Sequence, residues 1–400
     1  MNSTTELPRL QLRRNEERRI RHGHAWVYSN EVDIAATPLK PFAPGAQALL
    51  VAASGRALGV AFVTPHSLIC ARLLDRGATE ALGREFLRER LEAALALRER
   101  LYDRPFYRLV YGDSDGLPGL IVDRYGAVLV VQIGTAGMEV LLEDVVALLV
   151  ERLAPAGILL RNDASVRTME QLPLYTRVAW GEVPDLLELC ENGARFLVAA
   201  GSGQKTGWFY DHRESRARVA ALARGRRVLD VFSYVGGWGV QAALGGASAV
   251  CCIDSSQAAL ELAARNAELN GVADRLTLRC GNAFDELQAL SAAGERFDVV
   301  VLDPPAFIKR RRDQKSGESA YHRLNRAAME LLADDAILVS ASCSMHLPEQ
   351  SLLDIVRGAA HHAGRRLQIL GFAGQASDHP VHPAIPETRY LKTLIARVQR

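Results

Sequence analysis

The chain has 400 residues, 48% of them hydrophobic and 24% charged, which suits an ordinary globular protein of two or three domains. A formal net charge of +2 is too small to require a polyanionic partner, and no uncharged apolar run is long enough to span a bilayer or to act as a signal peptide, so a cytoplasmic location with no membrane partner is expected. The six cysteines, at 70, 190, 251, 252, 280 and 343, form no C-x-x-C pair and are too scattered for a disulfide framework, which argues against a zinc ribbon or a dithiol redox motif; no metal is expected.

Residues 1–77 read as a small β-rich unit, with short apolar runs at 48–52, 57–63 and 68–73 separated by Pro and Gly turns. Arg9, Arg13, Arg14, Arg18, Arg19 and Arg21 crowd its start, either as a solvated face or as a nucleic-acid contact. A stretch rich in Ala, Leu, Arg and Glu predicts a helix over 81–104. From Tyr107 the pattern is strand, turn (112–116) and strand, then a strand over 128–133, a helix over 138–153 and a strand over 157–161. This block, 78–190, is α+β. Segments 186–189 and 196–198 flank Glu191, Asn192 and Gly193 as a hairpin that opens the last domain, 191–400. From Thr206 on, helices alternate with strands at 227–231, 249–253, 276–280, 297–302 and 336–340, followed by a late pair near 367–372 and 391–398. Such alternation predicts a mainly parallel α/β sheet covered on both faces, with ligands at the carboxyl ends of its strands.

The segment 227–270 is the most informative. An apolar run through Asp230 turns at Ser233, Tyr234, Val235, Gly236, Gly237, Trp238 and Gly239, a small-residue helix follows, and a second apolar run ends at Asp254. This is one nucleotide-binding βαβ half, in which glycines allow close approach and the acid ending the second strand can hold two ribose hydroxyls. The spacing is not G-x-G-x-x-G. Asp230, just before the turn, would repel a pyrophosphate but attract a cationic aminoacyl group. S-adenosylmethionine offers a ribose and such an amine; a plain crossover with a tight turn is the alternative.

In Phe297 to Phe307, branched residues feed Asp303, and Pro304 and Pro305 fix an extended turn after it. Asp303 would sit beside the cofactor crevice, able to hydrogen-bond the N3 and N4 edge of a cytosine; a turn or cap acid is the bland reading. Ser342, Cys343 and Ser344 follow the strand at 336–340, on the same edge as Asp303 and Asp230. A buried small hydrophobe is the usual fate of a cysteine at a strand end. On the ligand edge, a thiolate could instead attack C6 of a pyrimidine and make C5 nucleophilic. Lys309, Arg310, Arg311, Arg312 and Lys315 follow the Asp303 turn and favour a phosphate-gripping role.

These residues together resemble the bacterial large-subunit (23S) rRNA cytosine-5 methyltransferases of the RlmI type, over nearly the whole chain. The matching motifs run from Arg21 through His22, Gly23, His24, Ala25, Trp26, Val27 and Tyr28 to Ser29, and from Gly112 to Gly119. They continue through Lys205, Thr206, Gly207, Trp208, Phe209, Tyr210, Asp211, His212 and Arg213, the turn 232–237, Asp303 to Phe307, Ser342 to Ser344, Asp378 to Val381 and Tyr390 to Lys392. The resemblance implies a carboxyl-terminal Rossmann-like class I methyltransferase domain with a mainly parallel seven-stranded sheet, an amino-terminal PUA domain and a central α+β domain. It implies S-adenosylmethionine as cofactor and 23S rRNA, or a large-subunit assembly particle, as partner, and it leaves room for a homodimer. By the same resemblance Cys343 is the nucleophile and Asp303 orients the base. Phe209, Arg213, Asp230, Ser233, Tyr234, Gly236, Gly237, Asp254, Ser255, Asn282 and Asp303 line the cofactor site, and Lys309, Arg310, Arg311 and Arg312 bind RNA. Asn282, after Gly281, replaces an acid common at the adenine position; its amide oxygen can still accept from the adenine amine.

Three rivals stand beside this reading. Methylation of a ring or exocyclic nitrogen would use the acid-Pro-Pro motif without a thiol. A nicotinamide-dependent oxidoreductase would need a phosphate-friendly turn, against which Asp230 speaks. A non-catalytic RNA-binding or ribosome-assembly factor would ignore the cofactor.

Overall fold

The computed structural model describes residues 6–201, 203–204 and 206–400, so Lys205 of the motif before Arg213 lies outside the described residues, as do the first five residues. The described residues divide into two compact units, one within 6–187, 199–208 and 378–388 and the other within 188–198, 209–377 and 389–400.

In the first unit, alternating apolar runs build β1 (Arg9–Gln11), β2 (Trp26–Tyr28), β3 (Ala46–Val51), β4 (Ala57–Val63) and β5 (Ile69–Asp75), with α1 (Glu17–Arg21) between the first two. They form one sheet of order β1-β3-β4-β5-β2. Its core gathers Leu10, Leu12, Ile20, Val27, Leu50 and Val63. This sheet is the region in which the resemblance places an amino-terminal PUA domain. The N-terminal arginines are partly neutralised there, since Arg19 reaches Glu31 at 2.6 Å and Arg21 reaches Glu17 at 3.6 Å.

The central α+β domain of the same unit carries α2 (Arg84–Leu101), β6 (Phe106–Tyr111), β7 (Leu120–Tyr125), β8 (Val128–Ile133), α3 (Ala136–Val140), α4 (Leu142–Leu153), β9 (Gly157–Asn162), α5 (Val166–Met169) and β10 (Tyr175–Gly181). The sheet runs β10-β9-β8-β7-β6, with α2 and α4 closing one core with it. The single helix expected over 138–153 is two helices, parted at Leu141, whose ψ of 9° leaves the helical range. Thr135 caps the first by accepting from the Met138 amide, and Gly137 lies where a Cβ would come within 2.1 Å of the Phe62 ring.

Buried charge holds this unit's motif residues together. Fully buried Arg98 grips both oxygens of Asp115, at 2.6 and 2.8 Å, and also donates to the Asp378 carbonyl at 2.8 Å. The Asp378 carboxylate accepts from the Arg108 amide and pairs with His379, while the Arg108 guanidinium grips Asp123. Trp26 donates to Asp113 at 2.8 Å, which makes its role at least partly packing.

The second unit opens with the hairpin β11 (Leu187–Glu191) and β12 (Ala194–Val198) and continues with α6 (Arg213–Leu222), β13 (Arg227–Val231), α7 (Gly237–Leu244), β14 (Ala249–Asp254), α8 (Gln257–Leu269), β15 (Leu276–Cys280), α9 (Ala283–Ala292), β16 (Phe297–Leu302), α10 (Gln314–Leu331), β17 (Leu332–Ser342), α11 (Glu349–His362), β18 (Arg366–Ala373) and β19 (Lys392–Gln399). Seven of these strands make one sheet of order β15-β14-β13-β16-β17-β19-β18, parallel except for β19. Alternation along β14 sends Cys251 and Ile253 into the core shared with α9, α10 and α11, whereas Cys252 faces α7 on the other side. Gly239 allows that approach, because a Cβ there would stand 2.5 Å from the Cys252 sulfur.

Candidate functional site

Strand order reverses between β13 and β16, the place where an open α/β sheet leaves a crevice at its carboxyl ends. The register brings the expected acids to that edge. Val231 pairs with both Ile253 and Leu302, so Asp254 and Asp303 each lie one residue beyond a paired position, and Leu302 in turn pairs with Ser340. Between β13 and α7 the chain turns sharply, with Phe232 (φ 67°) and Tyr234 (φ 49°) both left-handed although neither is glycine. Such backbone costs on the order of 1–3 kcal/mol per residue and clusters at functional sites.

A pocket of about 150 Å³ opens here, lined by Phe232, Ile253, Asp254, Ser255, Gly281, Asn282, Ala283, Phe284 and Phe307. Its chemistry fits a nucleoside. Aromatic rings and aliphatic groups offer faces for a base, and Asp254 offers a carboxylate for a ribose. The Asp254 oxygens accept from the Tyr234 amide at 2.8 Å and the Ser256 amide at 2.9 Å, which fixes the carboxylate while leaving each oxygen a lone pair. The Asn282 oxygen caps α9 by accepting from the Phe284 amide at 2.9 Å. It is thus already engaged once, so an adenine amine would have to share it.

Asp230 is fully buried. One oxygen accepts from the Gly239 amide at 2.9 Å and the other has no hydrogen-bond partner among the described residues. Burial, with the neighbouring Asp303 and Asp254 adding to it, pushes this carboxyl up to about 8. Ser233 is buried beside it, with its hydroxyl next to the Cys252 thiol. An orphan carboxylate oxygen under a tight turn is what an ammonium group would satisfy.

The remaining expected cofactor residues spread along the turn. Gly236 (φ 82°) caps α7 and Gly237 begins it. Tyr234 meets Phe209 edge to face, with centroids 5.7 Å apart. Arg213 is buried, 3.5 Å from Glu191 and with its guanidinium over the Tyr210 ring. Glu191, at the hairpin turn, also binds Arg216 and Gln241, so this cluster ties the hairpin to α6 and α7.

The second half of the site lies after β16 and β17. Asp303 receives hydrogen bonds on both oxygens, from His212 Nε2 at 3.2 Å and Trp238 Nε1 at 3.1 Å. Burial, the largest influence, acts to raise its carboxyl, but the facing His212 and the two hydrogen bonds outweigh it and hold the group below its ordinary value. Cys343 is half-buried and not in a disulfide. Its neighbours are locked in place. Ser342 donates to the Tyr321 hydroxyl at 2.8 Å, and Ser344 shares a hydrogen bond with the same hydroxyl at 2.9 Å. The Ser344 hydroxyl also accepts from the Ile308 amide at 3.2 Å, which ties the loop of Cys343 to the loop that follows Asp303. Lys392, opposite Ser342 across the sheet, donates to the Ser344 carbonyl at 2.6 Å. Burial pushes the Lys392 ammonium down to about 8, and the nearby Cys343 opposes that fall. Lys309, Arg310, Arg311 and Arg312 are all exposed between Asp303 and α10.

The partners His212, Trp238, Tyr321 and Lys392 carried no assigned role in the sequence. The signal available for the first two was their place inside the motif 205–213 and the glycine turn, since nothing local says which acid they serve.

Residues 175–397 match the S-adenosylmethionine-dependent methyltransferase family, and residues 10–76 match the PUA-like domain family. The chain is 37% identical to a ribosomal RNA large subunit methyltransferase I from Shewanella amazonensis over 396 residues, covering 98% of this chain and 99% of that one. It is 36% identical to the protein of the same name from Erwinia tasmaniensis over 395 residues, again covering 98% and 99%. In fold it is similar to a SAM-dependent methyltransferase from Streptococcus mutans (TM-score 0.82, 19% identity, 98% of this chain and 100% of that one) and to a methyltransferase solved in complex with SAH (TM-score 0.84, 20% identity, the same coverage). With S-adenosylmethionine as its cofactor, the chain belongs to the ribosomal RNA large subunit methyltransferase I family.

Proposed function

We propose that the protein methylates C5 of a cytosine in large-subunit (23S) rRNA through a covalent bond between Cys343 and C6. It acts in the cytoplasm, on rRNA or a large-subunit assembly particle, with residues 1–77 and 78–190 helping to dock RNA and 191–400 carrying the chemistry. Bound S-adenosylmethionine supplies the methyl group. Asp254 and Ser255 hold its ribose side, Asn282 its adenine, and Asp230, Ser233, Tyr234, Gly236 and Gly237 its aminoacyl side, with Phe209 and Arg213 nearby.

The observation that carries this reading is the linkage of Cys343 and Asp303. They follow adjacent strands in register, and the Ser344 hydroxyl joins their loops through the Ile308 amide. A thiol and an oriented carboxylate at one crevice are what C5 chemistry requires, whereas methylation at nitrogen needs no thiol. The base reaches the site unstacked or from an unpaired stretch. Cys343, as thiolate, adds to C6, and the displaced electron pair moves through C5 and C4 to N3, which takes up a proton from water and then donates a hydrogen bond to the Asp303 carboxylate. C5 then accepts the methyl group. Loss of the C5 proton to water expels Cys343 as thiolate and restores the C5–C6 double bond, while N3 returns its proton to water. Exposed Lys309, Arg310, Arg311 and Arg312 grip phosphates without reading sequence.

Transfer from labelled S-adenosylmethionine to unmodified large-subunit rRNA, with the product nucleoside identified by mass spectrometry, tests this. Wild type should give 5-methylcytidine, and Cys343→Ala should lose activity by several orders of magnitude. A different methylated nucleoside, or an active Cys343→Ala variant, would overturn the covalent route in favour of methylation at nitrogen.

A further inference from the structure

Asp303 is unusual among the acids of the crevice in what holds it. Each of its oxygens has a ring N–H in place: His212 Nε2 at 3.2 Å from one and Trp238 Nε1 at 3.1 Å from the other. His212 comes from the short turn before α6 and Trp238 from the first turn of α7. Both are about 3% exposed, and their rings pack edge to face with centroids 5.1 Å apart. The Asp303 side chain itself keeps 20% of its surface open. Its plane is therefore fixed by two rigid rings that cannot themselves turn to solvent.

An indole offers only a donor, and the ring nitrogen of His212 that meets Asp303 must donate as well. A carboxyl group surrounded this way stays an anion and presents acceptors alone. The two pyrimidines differ at the edge such a group would meet. Cytosine carries the N4 amine beside N3, and once C6 has been attacked N3 carries a proton too, so two donors stand side by side. Uracil carries one donor, N3–H, between two carbonyl oxygens. A fixed carboxylate pairs twice with the first and meets a repelling oxygen on the second, and its advantage is greatest after addition to C6, where it lowers the barrier rather than merely tightening binding.

We propose that His212 and Trp238 clamp Asp303 as a fixed pure acceptor, and that this clamp determines the selection of cytosine over uracil. The two are positioning residues, acting through Asp303. The proposal rests on the reading of Cys343 as nucleophile and Asp303 as the base-orienting group.

The test uses the full chain and two RNAs that differ only in 5-fluorocytidine or 5-fluorouridine at the target position, scored by the rate of adduct formation. The variants are His212→Gln, which keeps an N–H donor, His212→Leu and Trp238→Phe, each first checked for SAH binding by calorimetry. Loss of one charge-assisted hydrogen bond should slow fluorocytidine trapping about 10- to 100-fold in His212→Leu and Trp238→Phe, and lower the cytidine-to-uridine ratio by a similar factor. His212→Gln should stay within a few-fold of wild type, and SAH affinity should hold in all three. Equal slowing on both RNAs with an unchanged ratio would reduce the pair to a structural role and overturn the proposal. If wild type forms no adduct with either RNA, the covalent reading fails on its own. The clamp is then judged from labelled methyl transfer to cytidine and uridine targets, where an unchanged ratio in His212→Leu again overturns it.

Discussion

At the scale of single residues, Asp230 makes a prediction that follows from its burial. Its raised carboxyl, near 8, means that the cofactor-free protein carries it protonated at neutral pH. An ammonium arriving at the orphan oxygen favours the ionised form, so binding releases a proton. Affinity for SAH should therefore climb as pH rises toward about 8, by at most about tenfold per unit, and level off above it. Asp230→Asn should bind more weakly at high pH and lose most of this slope, as calorimetry in two buffers of different ionisation enthalpy would show. A slope that survives the substitution would move the aminoacyl group away from Asp230. This acid was legible in the sequence because it interrupts an apolar run just before a glycine turn, and Asp254 and Asp303 because each ends an apolar run. The residues that tune them were not. Trp238 and His212 meet Asp303 only because the sheet brings β13 beside β16, and the burial of Lys392 next to the serines depends on an antiparallel register that no local pattern encodes.

At the scale of elements, the central strands of the large sheet were legible because buried parallel strands are continuous runs of branched residues, and β13 and β16 lie where those runs do. The start of β17 was not. Asp334 and Asp335 look like a turn, yet the strand begins at Leu332, with Arg397 gripping Asp335 from the neighbouring strand at 2.6 and 2.7 Å and Arg400 reaching Asp334 at 3.0 Å. Cross-strand charge pairs let acids occupy the exposed end of an extended segment. Motif residues in the first unit also take a meaning the sequence withheld: Asp115 and Asp378 serve α2 and β6 through Arg98 and Arg108 rather than a ligand. Arg98→Met leaves the Asp115 carboxylate buried without its partner, which should cost about 3–5 kcal/mol in denaturant unfolding. The paired change Arg98→Met with Asp115→Leu should recover only the part due to the unpaired charge, because the Asp378 and Arg108 carbonyls and the Tyr111 amide lose these side chains as partners. A cost below about 1 kcal/mol for the single change would mean that water or another cation reaches Asp115.

At the scale of the whole molecule, a net charge of +2 says little about RNA, because what matters is which positive charges remain uncompensated. Near the amino end Arg9, Arg19 and Arg21 each have a glutamate within 4 Å. Between Asp303 and α10 the exposed Lys309, Arg310, Arg311 and Arg312 face, among the described residues, one weak acid contact, Arg312 to Asp313 at 3.8 Å, in which the arginine is 74% exposed. An exposed pair of that kind is worth little and leaves the arginine available to phosphate. RNA binding should therefore draw on this loop for counterion release. Replacing Arg310, Arg311 and Arg312 with glutamine should weaken RNA binding and reduce the slope of log affinity against log salt by about 0.7 for each single-strand phosphate that the loop no longer neutralises. Charges removed at Arg19 and Arg21 should change the slope less for each charge, because both already have a closer and less exposed carboxylate partner. SAH affinity provides the control, since none of the three loop arginines lines the pocket between Phe232 and Phe307. A slope indifferent to the loop but sensitive to the amino-terminal arginines would shift the main RNA-binding surface to the PUA domain and leave the loop as a solvated face.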